Sequence, residues 1–145
     1  MKRVATWMVG VGLLLILASL TWRAVTPLPV WGAGEKKCTL ASYKGRYVFA
    51  GGGKFSAIAG LEVYNGDGTM NGIYSQSTDG KIVRNIAYTG TYTVNPNCSS
   101  PLTITETVSR EVVHYDQFIG PSGEEFTWVQ TDPGSVSAGF ERRVK

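Results

Sequence analysis

Histidine occurs once in this chain of 145 residues, at His114, and cysteine twice, at Cys38 and Cys98. A structural zinc site needs four nitrogen, sulfur or carboxylate ligands, which two lone cysteines and one histidine do not supply. There is no second histidine and no spare cysteine from which to assemble a nucleophilic triad. No C-x-x-C pair is present for thiol exchange. The chain also lacks a G-x-S-x-G elbow, an H-E-x-x-H helix, a Walker loop and a dinucleotide fingerprint. The run Gly51–Gly53 precedes a strand pattern and not a helix, so no helix N-terminus stands behind it to hold phosphate. It reads as a flexible connection. No metal and no cofactor is expected.

A basic surplus is missing too. The formal charge is +3, but Lys2, Arg3 and Arg23 supply three of the fourteen basic residues. From residue 35 onward the remaining eleven are balanced by eleven acidic residues. Nucleic-acid binding draws most of its affinity from phosphate contacts on a basic surface, so it is excluded as an expectation. The closing "ERRVK" reads as a solvated tail.

The one long apolar run lies at the start. Lys2 and Arg3 precede it, Val4 to Leu20 carries no charge, and Arg23 closes it. Residues 1–34 therefore read as a secretory signal or an N-terminal anchor, and 35–145 as the folded domain. At about 17 residues the run is at the short limit for a spanning helix. Cleavage is expected with Val30 and Gly32, or Gly32 and Gly34, at the −3 and −1 positions. Trp31 spoils a cut after Ala33. Cleavage would make the domain secreted or periplasmic; retention would leave it membrane-anchored, facing away from the cytoplasm. In either place an oxidising environment favours a Cys38–Cys98 disulfide.

Past Cys38 no segment repeats apolar residues every three or four positions, and glycine is frequent. Apolar and polar residues alternate instead, the pattern of half-buried strands. "GRYVF" opens the first strand, at about Arg46–Ala50, and Phe55–Tyr64 forms the second. In the latter the odd positions Ala57, Ala59, Leu61 and Val63 are uniformly apolar and are expected to face the core.

The next stretch, "YNGDGTMNG", spaces oxygen-bearing side chains as a calcium loop would. An EF-hand loop, however, needs glycine at position 6 and glutamate at position 12. Counted from Asn65 those places hold Met70 and Gln76. Asn-Gly and Asp-Gly between alternating flanks instead signal a hairpin. Asp79-Gly80, "PSGE" and "DPGS" give further reversals. Lys81–Asn95 is too long for one ordinary strand and is expected to break or bend at Gly90. About eight strands with short connections make an antiparallel meander. The expected fold is thus all-β, a single eight-stranded up-and-down barrel, favoured over a two-sheet sandwich because no long crossing connection is evident.

"GRYVF", "YNGDGTMNG", "TGTYTVNPNC" and "TDPGSVSAGFERR" resemble a group of small exported bacterial proteins. These are similar to the allene oxide cyclase and dirigent type of barrel, within the wider lipocalin-like world. The resemblance spans most of Gly45–Arg143 and implies a closed barrel with room for an apolar cavity. It carries no catalytic residue onto this sequence.

Two charged residues share strand faces with apolar ones: Arg84 with Ile82, Ile86 and Tyr88, and Glu106 with Leu102 and Ile104. Buried charges need partners. Arg84, Glu106, Tyr74 and Tyr88 are therefore the expected ligand-binding set, against the plainer reading that both charges sit at the rim. His114 shares its face with Val112, Asp116 and Phe118. That face reads as solvated, with a His114–Asp116 proton relay as the sharper alternative. Aromatics are plentiful enough to fill an eight-stranded interior, which is just wide enough for side chains. Three functions remain open: binding of a small apolar molecule, a structural or partner-binding envelope role with a solid barrel, and a cyclase or isomerase.

Overall fold

The computed structural model describes residues 37–120 and 122–145. The leader lies outside them. A four-residue helix, α1 (Leu40–Tyr43), is followed by eight strands: β1 (Gly45–Gly53), β2 (Ser56–Tyr64), β3 (Thr69–Thr78), β4 (Lys81–Tyr92), β5 (Ser99–Glu106), β6 (Val112–Ile119), β7 (Glu125–Gln130) and β8 (Ser137–Val144). Each strand pairs antiparallel with the next, and β1 pairs with β8 from Arg46↔Val144 to Gly53↔Ser137, closing the barrel. Closure leaves no free sheet edge. Among the described residues no helix is long and apolar enough to cross a membrane.

The turns follow the chemistry of their residues. Asp79 and Gly80 take positive φ, 47° and 79°, as a two-residue hairpin requires. At the β2–β3 reversal, Asp67 Oδ1 accepts from Thr69 N at 2.9 Å, and Gly66 and Gly68 take positive φ. Asp67 is thus engaged in holding the turn. Cys38 and Cys98 are joined.

Three expectations are corrected. Gly51–Gly53 is the end of β1 and not a connection; the reversal is Lys54–Phe55. β4 runs through Gly90 unbroken, and its irregularity lies where Tyr74↔Ile86 gives way to Gln76↔Val83. The extra residue falls at Arg84–Asn85, and Asn85 has φ 58°. Lastly, β2 turns its even positions inward: Glu62 and Tyr64 are buried, while Ala57, Ala59 and Leu61 are exposed.

Inward strand glycines give neighbouring rings space. A Cβ on Gly51 or Gly139 would stand 2.5 or 2.3 Å from Trp128 Cζ2, so the indole lies directly over both. Gly72 is covered in the same way by the Tyr88 ring.

The two barrel ends differ. The β2–β3, β4–β5 and β6–β7 connections share one end with both α1 and Arg143. There Tyr43 packs against Tyr64, Tyr92 and Phe126 at centroid distances of 5.6, 5.6 and 5.3 Å, and Tyr47 meets Phe126 at 5.0 Å. Tyr43, Tyr47 and Tyr64 are almost wholly buried, so aromatics close this end. The "ERRVK" segment is no solvated tail: Glu141 is buried, and Arg143 donates to the Gly123, Lys44 and Ser42 carbonyls and to the Tyr47 hydroxyl.

Candidate functional site

The other half of the barrel is hollow. A cavity of about 170 Å³ opens toward the β1–β2, β3–β4, β5–β6 and β7–β8 connections. Phe49, Tyr74, Tyr88, Tyr115 and Trp128 supply aromatic wall, and Ile58, Leu102, Ile104 and Val113 aliphatic wall. Gln76, Gln130 and Ser137 come from strand ends near the mouth. The interior is therefore neither filled throughout nor empty throughout.

Tyr74, Tyr88 and Glu106 of the expected set line this cavity, and Arg84 does not. The alternation that placed Arg84 beside Ile86 and Tyr88 is broken by the extra residue at Arg84–Asn85, which leaves Arg84 exposed. Glu106 is held by the Tyr74 and Ser109 hydroxyls, both donating to it. The Tyr74 and Tyr88 rings meet edge-on at 5.7 Å. His114 is on the outer face, and its partner is Asp132 and not Asp116. Its Nδ1 lies 2.7 Å from Asp132 Oδ1, and its backbone N–H donates to Asp132 Oδ2. These bonds, the backbone one foremost, hold the Asp132 carboxyl down to about 2.

Two functional groups escaped the sequence reading. Glu62 and Glu141 line the cavity with 5 % and 2 % of their surfaces exposed. They stand on the strands flanking β1, with Glu62↔Tyr47 and Phe49↔Glu141 in register. Tyr88 donates to Glu62 Oε2 at 2.6 Å. Glu62 Oε1 and Glu141 Oε2 are buried without any protein donor. Burial, and secondarily the neighbouring Glu62, push the Glu141 carboxyl well above its ordinary range. Two like charges in one dry site cannot both ionise cheaply, so the pair retains a proton. Tyr43, Tyr47, Tyr64 and Tyr88 face Glu141 from α1, β1, β2 and β4, and burial raises all four phenols, Tyr47 to about 12. They remain neutral.

This proton makes stability depend on pH. Glu141 binds it more tightly folded than unfolded, where the ordinary value is 4.5. The stabilisation is complete below that value and is lost as pH rises through the window up to the raised folded one. Glu141→Gln keeps the shape and removes the titration. We expect the variant to be more stable than the parent by about 1–3 kcal/mol near pH 8, with the gap closing near pH 4.5. Urea denaturation at the two pH values checks this; a gap independent of pH contradicts it. Asp132 and Asp67, whose carboxyls are lowered, act only below this window.

Among the described residues no three histidine, cysteine or acidic side chains are grouped to hold a metal ion. Compared with family models, curated proteins and solved structures, the chain matches none.

Proposed function

We propose that this barrel binds a small, largely apolar molecule in its cavity and works outside the cytoplasm. The observation that carries the reading is the pocket itself: one end sealed by tyrosines, the other open, with aromatic and aliphatic side chains on its walls and about as many polar ones among them. The disulfide and the apolar leader both favour an oxidising compartment. The resemblance to allene oxide cyclase and dirigent barrels fits a cavity of this kind.

Native mass spectrometry of the full chain after exposure to a metabolite extract tests the reading. A retained small molecule is expected, with affinity at least about tenfold weaker in Ile58→Trp, which fills the cavity. No retained ligand, or equal retention by the filled variant, would count against it.

A second reading rests on Glu141. A buried carboxylic acid kept protonated beside a cavity is what a proton-transferring cyclase or isomerase needs. Turnover of a retained ligand, lost in Glu141→Gln while binding persists, would favour it.

A further inference from the structure

The cavity has a sign. Glu62, Glu106, Glu111 and Glu141 are among its lining residues, and no lysine, arginine or histidine is. The basic residues of the surrounding hairpins, Lys54, Lys81, Arg84 and Arg110, are exposed and contribute nothing to the wall. Glu106 is already engaged by Tyr74 and Ser109. Glu62 and Glu141 are less fully engaged: both residues line the cavity, and one buried oxygen of each has no protein donor. A neutral apolar occupant would leave the pair's remaining negative charge without a counter-charge and would seal it further from water, at a cost of a few kcal/mol. An anionic one would add a like charge.

We infer that the occupant is a compact organic cation, a protonated amine carried on one ring or a short apolar chain, with its ammonium against the Glu62–Glu141 carboxyl pair. This rests on the reading of the cavity as a binding site. An ammonium brings three donors and the positive charge that a shared proton otherwise supplies. As the amine enters, that proton can leave to solvent, so charge is conserved at the floor. Tyr88, Trp128 and Phe49 present rings to the same space, and aromatic faces attract organic cations. The volume fits: cavities of about 150 Å³ accept one benzene-sized ring. A metal cation suits the site poorly. Calcium takes six to eight oxygens, and among the described residues no three acidic or histidine side chains converge to supply them.

Titration calorimetry of the full chain with three probes of matched shape tests this: phenethylamine, 2-phenylethanol and 3-phenylpropanoate. Phenethylamine is expected to bind about tenfold or more tighter than either of the others. In the double variant Glu62→Gln, Glu141→Gln that preference should vanish while 2-phenylethanol still binds, which reports an intact cavity. Equal or tighter binding of the alcohol by the parent overturns the cation and leaves the binding reading standing. So does an amine preference that survives in the double variant. If none of the three binds but the metabolite extract yields a retained neutral or anionic molecule, the cation is likewise wrong. If no probe binds and nothing is retained, both readings fall.

Discussion

Reduction of the Cys38–Cys98 bridge is expected to lower the unfolding free energy by about 4 kcal/mol, the chain-entropy value for the 60-residue separation it spans. For a domain of this size that is a drop in Tm on the order of 20 °C. The bridge does more than close a loop. Cys38 leads directly into α1, which carries Tyr43 into the aromatic cluster, and Cys98 sits in the β4–β5 connection. Backbone bonds extend the tie: Cys38 N donates to Pro96 O at 3.4 Å, and Ile119 N donates to Cys98 O at 3.1 Å. The bond thus fastens the closing segment to the sheet. Urea denaturation with and without reductant, and of the Cys38→Ser, Cys98→Ser double variant, measures the loss. A change below about 1 kcal/mol would mean that the aromatic packing holds α1 unaided.

Arg143→Ala should cost about 3–5 kcal/mol. The guanidinium donates from Nε to Gly123 O at 3.0 Å and from Nη1 to Lys44 O at 2.8 Å. Nη2 donates to Ser42 O at 3.1 Å and to the Tyr47 hydroxyl at 2.6 Å. It also lies 5.1 Å from the Tyr47 ring centre. One planar fork therefore joins α1, the start of β1, the β6–β7 connection and β8. Three carbonyls would lose a charged donor at once. Arg143→Lys keeps the charge but not the fork, and should recover less than half of the loss. Denaturation midpoints of the three proteins decide it; an alanine variant within about 0.5 kcal/mol of the parent would show that water replaces the contacts.

Turn chemistry made the architecture readable. Asn65–Gly68, Asp79-Gly80 and Asp132–Gly134 mark reversals by residues whose backbone preferences are local, and strands between such marks have little choice but to meander. Facing was harder. In β2 both faces are largely apolar and Glu62 is the one charged residue, so the reading turned Glu62 outward by default. A hollow barrel gives that carboxylate an interior place, and the hollowness depends on all eight strands. Arg84 was misplaced by one inserted residue, for which Asn85, tolerant of positive φ, was the only local sign. Tyr88 and Glu106 line the cavity as their alternation with apolar neighbours implied, because no bulge intervenes between them and the barrel's centre; Tyr74 was named only as a tyrosine at hand, without a facing argument. Glu141 and Arg143 were lost in a run of charges at the chain's end. Their partners, Glu62, Ser42 and Lys44, are 79 to 101 positions away, brought near only by β8 pairing with β1.

The tyrosine-packed end turns the barrel into a flask with a cork. Nothing can thread through it, so whatever enters must back out past Gln76, Gln130 and the rim carboxylates. Dwell time would then be governed at the lip, by short hairpins that carry neither the disulfide nor the arginine fork of the corked end, and exchange could be retuned there without touching what keeps the vessel shut.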